Sequence, residues 1–225
     1  MTNIKLSKRL HAIADMVENE STTIDIGCDH ALLDIYLLRN KTVKKAIAAD
    51  ITEGAINQAK KNIELYKVNN LILRQANGLD AVNKNDNIDT IIISGLGNQT
   101  IIKILYDNVD KLLGINTIII QSNTGYYDIR KNICKLGYYI SDEKIVKDNN
   151  IKYVVIKFKK NEKKYTNKEL LFGPILLRNK DELFVELLKD QINKNNKVIS
   201  MLPKKHILKK IKLLKLNNII KKEIH

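Results

Sequence analysis

The sequence contains few of the residues that stabilise small secreted folds. It has two cysteines, two prolines and no tryptophan among 225 residues. Cys28 and Cys134 cannot build a disulfide framework and form no CxxC pair, so we expect a protein of the reducing cytoplasm. Hydrophobic residues make up 44% of the chain and charged residues 28%. This composition excludes a wholly disordered or collagen-like protein.

Long apolar runs are also missing. No stretch approaches the roughly 20 apolar residues that a membrane span requires. The first residues, MTNIKLSKRLHAIADM, lack the apolar core of a signal peptide. We therefore expect a protein without a membrane partner.

Positive charge is abundant and unevenly distributed. Lys and Arg total 39 against 25 Asp and Glu, a formal charge of +14, but residues 1–156 carry only +2 of it and residues 157–225 carry +12. A basic tail indicates a polyanionic partner such as nucleic acid. We predict two domains, a ligand-binding domain at 1–160 and a basic helical domain at 161–225.

The first part of the chain alternates β-branched runs with amphipathic segments. The apolar runs TIIIS and TIIIQ are typical of strands buried between two helix layers. Strand–helix alternation predicts a parallel sheet, whereas the short loop before the last strand predicts an antiparallel hairpin. This α/β architecture, a Rossmann-like, mostly parallel sheet of seven strands with one reversed strand, is typical of class I S-adenosylmethionine-dependent methyltransferases. The predicted strands are 23–27, 44–51, 71–75, 88–95, 115–121, 138–146 and 152–158, and the predicted helices are 31–39, 53–66, 100–113 and 126–136.

The tail shows helical spacing of apolar residues on both sides of Pro203. We predict a C-terminal α-helical hairpin, a coiled coil that turns at residues 202–204 and buries two apolar stripes against each other. The alternative is a single long, kinked helix. The stripes consist of Leu183, Phe184, Leu187, Leu188, Ile192, Ile199 and Leu202 before the turn, and Ile207, Leu208, Ile211, Leu214 and Ile219 after it.

Polar and glycine residues follow four successive predicted strands, where doubly wound sheets bind ligands. Residues 25–30 (DIGCDH) combine a turn glycine with a helix start that favours a carboxylate. Asp50 can accept hydrogen bonds from two ribose hydroxyls, and Asn77 can pair with an adenine edge beside Gly78. Residues 94–98 (SGLGN) allow close approach of the chain to the ligand and its target. Together these residues fit S-adenosylmethionine better than NAD, since no GxGxxG motif is present.

Each of these residues also has a purely structural interpretation. Asp50 could cap a helix, and Gly27 could only shape a turn. For His30 the sequence slightly favours a buried structural histidine, and Asn123 could simply satisfy loop backbone groups. Arg9 could be a solvated charge beside Lys5 and Lys8. We favour the ligand site because all four groups follow strands in order.

The segment after the fourth predicted strand, which would face the methyl acceptor, lacks the Asp/Asn-Pro-Pro-aromatic loop that holds an exocyclic amine in many methyltransferases. A ring nitrogen with its own lone pair is therefore the better candidate nucleophile. Such a nitrogen needs positioning and electrostatic support, and a base only afterwards, if at all.

With these residues, the sequence resembles the bacterial tRNA adenine-22 N1-methyltransferase family over nearly its whole length. The resemblance includes residues 6–10 (LSKRL), 25–30, 95–97 and 121–123 (QSN), and is most specific at 169–177 (ELLFGPILL). It implies methyl transfer from S-adenosylmethionine to N1 of an adenine in tRNA. By position, the implied cofactor site consists of Asp25, Gly27, Cys28, Asp29, His30, Asp50, Ile51, Asn77, Gly78, Gly95, Leu96 and Gly97. No metal is implied, and Arg9, Asp29 and Asn123 are the candidates for target positioning or proton handling.

Four residues depart from the family pattern. Cys28 replaces Ser, Asn77 replaces Asp, Asn98 stands where a small residue is common, and Ser122 replaces Pro. We expect Cys28 to present its backbone N–H to the cofactor, and the loss of proline at 122 to loosen the loop.

Three other functions remain open from the sequence. A small-molecule methyltransferase would have an incidental basic tail, and an RNA-binding protein would use the fold as a scaffold without catalysis. A DNA methyltransferase is disfavoured by the missing amine-holding loop. The basic tail favours tRNA, and no obligate protein partner is evident.

Overall fold

The computed structural model describes residues 4–224, with Lys204 described by its backbone alone. The first three residues and His225, which belong to the predicted domain ranges, lie outside the described residues. The chain forms two compact units, Met1–Pro174 and Ile175–His225.

The first unit contains a seven-stranded sheet with the order β3-β2-β1-β4-β5-β7-β6. Strands β1 to β5 run parallel to one another, and β7 runs antiparallel to both β5 and β6. This order confirms the predicted mostly parallel sheet with one reversed strand. The strands are β1 (Ser21–Ile26), β2 (Val43–Asp50), β3 (Leu71–Gln75), β4 (Thr90–Leu96), β5 (Thr117–Ser122), β6 (Tyr138–Asp148) and β7 (Ile151–Lys160).

The core lies around the central strands. Every residue of β5 and the first four of β4 are buried, because helices cover both faces of a parallel sheet. The predicted hairpin is confirmed: β6 and β7 are joined by Asn149 and Asn150, both with positive φ. Two consecutive left-handed residues form the turn whose twist matches that of the strands, and asparagine tolerates this conformation.

The helices of the first unit largely follow the predicted segments. α3 has the predicted bounds, and its N-cap Thr52 accepts a hydrogen bond from the N–H of Ala55. The segment predicted as one helix at 100–113 forms α4 and a separate 3-10 turn, Val109–Leu112. The helices of this unit are α1 (Lys8–Ala14), α2 (Leu32–Arg39), α3 (Glu53–Tyr66), α4 (Asn98–Tyr106), α5 (Tyr126–Lys135) and α6 (Asn167–Phe172). The next helix, α7 (Pro174–Asn179), begins at the last residue of the first unit and lies otherwise in the second.

The boundary between the compact units lies later than the predicted position at residue 160. Residues after β7 still pack on the first unit: the Tyr165 hydroxyl accepts a hydrogen bond from the Ile140 N–H, and Arg130 donates to the carbonyls of Leu170 and Leu171. The charge pattern therefore located the end of the sheet rather than the end of the unit.

The second unit contains the predicted hairpin of two antiparallel helices, α8 (Glu182–Met201) and α9 (Ile207–Ile224), joined by a short turn. The predicted apolar stripe of α9 is wrong. Its five residues are 42–74% exposed, whereas Asn217, Ile220 and Glu223 are buried. The apolar residues of α9 occur on all sides of the helix, so their spacing did not identify the packed face.

A buried amide pair joins the two helices. Nδ2 of Asn195 donates to Oδ1 of Asn217 across 2.7 Å, and Nδ2 of Asn217 donates to Oδ1 of Asn196 across 2.9 Å. Lys180 pairs with Glu223 nearer the open end of the hairpin. A buried asparagine pair is a known means of fixing helix register, and here it shifts the contact face of α9 away from the predicted stripe.

Candidate active site

A cavity of about 290 Å³ lies at the carboxyl ends of β1, β2 and β4. It brings together nine of the predicted site residues. Ser94 of the 94–98 segment also lines it, as do Leu10, Leu32 and Leu33, which were not predicted. The predicted residues that line the cavity are Arg9, Asp25, Gly27, Cys28, Asp29, His30, Asp50, Gly95 and Leu96, the first of them from the target-side set.

The loop after β1 is held against β2 by backbone hydrogen bonds. The N–H groups of Gly27 and Cys28 both donate to the Ala49 carbonyl, at 2.8 and 3.1 Å. The expected presentation of the Cys28 N–H to a ligand is therefore wrong, because Ala49 already accepts it. Burial raises the pKa of the Cys28 thiol well above its usual value, and Asp25 raises it further. The thiol thus remains neutral.

His30 lies at the surface of the cavity, which corrects the interpretation as a buried structural histidine. Its side chain is 48% exposed, and its Nε2 lies 3.3 Å from Oδ1 of Asp29, whose side chain is 74% exposed. Asp29 and Ala31 both have left-handed backbone conformations. These turns direct the chain from β1 into α2, and no side chain caps the start of that helix. The N-terminus of α2 therefore keeps its orphan N–H groups.

Asp25 is a buried acceptor at the wall of the cavity. Its Oδ1 finds no hydrogen-bond partner among the described residues. Burial raises the pKa of Asp25 to about 7, while the Arg9 charge lowers it and the Asp50 charge raises it. A buried carboxylate oxygen without a hydrogen-bond partner is costly, and a cationic ligand would compensate that cost. The ammonium and sulfonium groups of S-adenosylmethionine fit this requirement.

Asp50 ends β2 at the edge of the same cavity. Its Oδ1 accepts hydrogen bonds from the N–H and the hydroxyl of Thr52, at 2.9 and 2.8 Å. These bonds fix the carboxylate. The side chain supports the cap of α3 through Thr52 and also lines the cavity, so the structural and ligand-binding interpretations are both compatible with its position. The next residue, Ile51, is 63% exposed and does not line the cavity.

Asn77 and Gly78 line a second cavity of about 340 Å³, together with residues of α4. Gly78 has a φ of +56°, and a Cβ there would lie 3.0 Å from Cγ1 of Ile104. The glycine thus permits close packing of Ile104. Both predicted residues remain candidates for a base-binding side of the site.

The loops after β4 and β5 are tied together by hydrogen bonds. Nδ2 of Asn123 donates to the Gly95 carbonyl across 2.6 Å, and the Asn123 N–H donates to the Leu96 carbonyl across 3.0 Å. Asn123 therefore satisfies loop backbone groups, and neither it nor Gly97 lines the two cavities. The carbonyl oxygens of Gly95 and Leu96 thus accept hydrogen bonds within the loops.

Two departures from the family pattern form hydrogen bonds in these loops. The Ser122 hydroxyl donates to the Thr124 carbonyl across 2.7 Å and accepts from the Thr124 N–H at 3.3 Å. Oδ1 of Asn98 accepts from the Thr124 hydroxyl across 3.0 Å, and its Nδ2 donates to Asp128. The loop at 122–125 is therefore held by side-chain hydrogen bonds in place of a proline ring.

Arg9 is held at the cavity wall rather than solvated. Its Nη1 donates to Oε1 of Gln121 across 2.7 Å, and its guanidinium carbon lies 5.6 Å from the centre of the Tyr153 ring. The backbone N–H of Arg9 donates to Asp148. The role of Gln121 was not predicted. Two of its partners, Arg9 on α1 and Gly95 on β4, lie 112 and 26 residues away along the chain.

The described residues contain no cluster of His, Cys, Asp and Glu that could hold a metal ion. No helix in the described part of the chain is both long and apolar enough to span a membrane. The candidate active site is therefore the cavity at the carboxyl ends of β1, β2 and β4.

The fold and this cavity define a class I S-adenosylmethionine-dependent methyltransferase. The family model of tRNA (adenine(22)-N(1))-methyltransferases matches residues 23–223. The chain belongs to this family.

Individual relatives support the same assignment. The tRNA (adenine(22)-N(1))-methyltransferase of Bacillus subtilis strain 168 is 33% identical over 193 residues, which cover 83% of this chain and 81% of the relative. The crystal structure of the B. subtilis m1A22 tRNA methyltransferase TrmK matches with a TM-score of 0.89 and 29% identity, covering 99% of this chain and 100% of that one. The structure of M. capricolum TrmK in complex with S-adenosyl-homocysteine matches with a TM-score of 0.87 and 32% identity, covering 97% of each chain.

Proposed function

We propose that this protein transfers a methyl group from S-adenosylmethionine to N1 of adenine 22 in tRNA. The observation that carries the choice of N1 is the closure of the β4 loop on the β5 loop. The carbonyls of Gly95 and Leu96 already accept hydrogen bonds from Asn123, and no Asp/Asn-Pro-Pro-aromatic segment follows β4, so this loop lacks the acceptor pair that holds an exocyclic amine. Adenine N1 has its own lone pair and requires no such acceptors.

The cofactor would lie in the cavity at the ends of β1 and β2. When bound, S-adenosylmethionine supplies an electrophilic methyl group on a sulfonium sulfur. Asp50 would accept hydrogen bonds from the ribose hydroxyls, and Asp25 would compensate positive charge near the amino acid end. Asn77 and Gly78 would lie beside the adenine ring. The chain contributes positioning and electrostatics, because N1 needs no base before the transfer.

The two compact units would divide the work. The first unit would bind the cofactor and the target base, and the basic helical hairpin would bind the tRNA backbone. The exposed lysines of α9 support this division. They include Lys209, Lys210 and Lys212. A tRNA substrate, together with two free cysteines, supports a cytoplasmic location.

Mass-spectrometric nucleoside mapping tests this function. The protein is incubated with labelled S-adenosylmethionine and an in vitro transcribed tRNA that has adenine at position 22. We expect labelled 1-methyladenosine at that position and none in a matched tRNA with guanosine there. Recovery of N6-methyladenosine would contradict the argument from the closed loops. No transfer to tRNA, despite cofactor binding, would contradict the proposed function.

A further inference from the structure

Gln121 lies at the centre of a hydrogen-bond network that reaches the cavity. It is the fifth residue of β5, and its side chain is fully buried. Oε1 accepts from Nη1 of Arg9 at 2.7 Å and from the Gly95 N–H at 3.1 Å. Nε2 donates to Oδ1 of Asn123 at 3.3 Å. The amide thus contacts three elements that border the site.

Three hydrogen bonds form a closed ring in which each residue donates to the next. The Gly95 N–H donates to Gln121, Gln121 donates to Asn123, and Asn123 donates back to the Gly95 carbonyl. Rotating the Gln121 amide by a half-turn would face its NH₂ group toward two donors, Arg9 and Gly95. A buried polar group left without a partner is costly, so the ring fixes the amide orientation and with it the position of Oε1.

The position of Oε1 determines where the Arg9 guanidinium lies. Arg9 is half-buried, packs against the Tyr153 ring and lines the cavity. A Cβ added to Gly95 would lie 3.3 Å from its Nη1, which shows how closely the guanidinium approaches the β4 loop. The other titratable side chains that line the cavity with it are Asp25, Asp29, Asp50 and His30, together with the thiol of Cys28.

The charges of the cavity identify the group that Arg9 would meet. Among the lining residues, all of which the structure describes, Arg9 is the one permanently charged cation, and three lining residues are carboxylic acids. The proposed cofactor carries an ammonium, a sulfonium and two ribose hydroxyls, all of which suit carboxylates, and one carboxylate, which suits a guanidinium.

We propose that Arg9 binds the carboxylate of the cofactor's methionine moiety and that Gln121 is a positioning residue that acts through Arg9. This inference rests on the proposed cofactor chemistry, but not on which RNA atom is methylated. It assigns to Arg9 the cofactor side of the site, instead of the target side that the sequence predicted. By accepting a hydrogen bond from Nη1, Gln121 holds the Arg9 guanidinium in one orientation before the ligand binds.

Calorimetric titration with two ligands tests the proposal. S-adenosyl-homocysteine has the carboxylate, and 5′-methylthioadenosine lacks the whole amino acid moiety. We expect Gln121→Met to weaken S-adenosyl-homocysteine binding about tenfold, the typical value of one charge-assisted contact, and to leave methylthioadenosine binding unchanged. In an Arg9→Met background, Gln121→Met should have no further effect, because coupled residues are not additive.

Controls separate positioning from general damage to the site. Ser122→Ala alters the same loop without touching Arg9, so it should leave the ratio of the two affinities unchanged. Gln121→Glu keeps the acceptor for Arg9 and Gly95, and it replaces Gln121→Met if that variant does not fold. Its negative charge would neutralise Arg9, so it should also weaken S-adenosyl-homocysteine selectively.

Equal losses for both ligands, or additive losses in the double variant, would overturn the proposal. Failure of the wild-type protein to bind either ligand would instead contradict the proposed function. Ligand binding without methylation of tRNA would also contradict the proposed function, while leaving the role of Gln121 intact. The two failures are therefore distinguishable.

Discussion

Arg130 and Glu143 form an ion pair inside the first unit, with 2.7 Å between Nε of Arg130 and Oε1 of Glu143. Their side chains are 2% and 0% exposed. Arg130 also donates to the carbonyls of Leu170 and Leu171. The pair therefore connects α5 and β6 to α6, which lies in the ELLFGPILL segment. This contact explains why α6 packs against α5 and β6 although it lies beyond the sheet in the chain.

Gly173 should be essential for this packing. It has a φ of +93°, and a Cβ there would lie 2.6 Å from both carboxylate oxygens of Glu143 and 2.8 Å from Nη2 of Arg130. Gly173→Ala should lower the free energy of unfolding by about 3–5 kcal/mol, because it strains the backbone and displaces a buried ion pair. Urea denaturation measures this change.

Gly137→Ala is the matched control. Gly137 has a φ of +84° but no atom within 4 Å of the added Cβ. Gly137→Ala should lower the free energy of unfolding by only about 1–2 kcal/mol, the cost of placing a residue with a Cβ in the left-handed conformation. Equal effects of the two substitutions would show that the ion pair tolerates the added methyl group.

Asp50→Ala should weaken cofactor binding about tenfold or more, since a hydrogen bond to a charged group contributes about 1.5–3 kcal/mol. Calorimetric titration with S-adenosyl-homocysteine measures the affinity. Glu53→Gln, which removes a nearby exposed charge at the first residue of α3, should have little effect. If Glu53→Gln weakens binding as much as Asp50→Ala, the general field of the site accounts for the loss, and Asp50 makes no specific contact.

The sheet and the strand-end residues could be predicted from the sequence because they follow from local patterns. Buried runs such as TIIIS define strands, and strand direction then places Asp25 and Asp50 at one edge. Gln121 could not be assigned in this way, since Arg9 lies 112 residues away along the chain. The packed face of α9 was also hidden, because its apolar residues occur on all sides and Asn217 selects the face through a contact with α8.

Asp25 should make stability dependent on pH. Burial raises its pKa in the folded state from 3.8 to about 7. Between these values the folded protein retains a proton that the unfolded chain has released. The contribution of Asp25 to the free energy of unfolding therefore falls as pH rises from about 4 to about 7, and then stays constant.

Asp25→Asn should remove this dependence. Urea denaturation should show a gain of roughly 1–3 kcal/mol over the wild type at about pH 8, where the buried charge is most costly, and a smaller gain at about pH 5. The same variant should bind S-adenosyl-homocysteine more weakly. Asp34→Asn is the control: Asp34 is fully buried, both its oxygens lack partners among the described residues, and it does not line the cavity. Asp34→Asn should be more stable than the wild type without losing ligand affinity. A loss of affinity would show that Asp34 acts on the site, either directly or through Asp25, whose charge raises the pKa of Asp34.

The lysines of α9 should determine how tRNA binding depends on salt. Each lysine that contacts a phosphate adds about 1 to the slope of log affinity against log salt. Replacing Lys209, Lys210 and Lys212 with Gln should therefore reduce the slope by up to about 3 and raise the KM for tRNA, with cofactor affinity unchanged. The same change at Lys60, Lys61 and Lys84, which are exposed on the first unit, removes equal charge elsewhere. Equal slopes for the two triple variants would show that net charge, and not the hairpin surface, attracts the RNA.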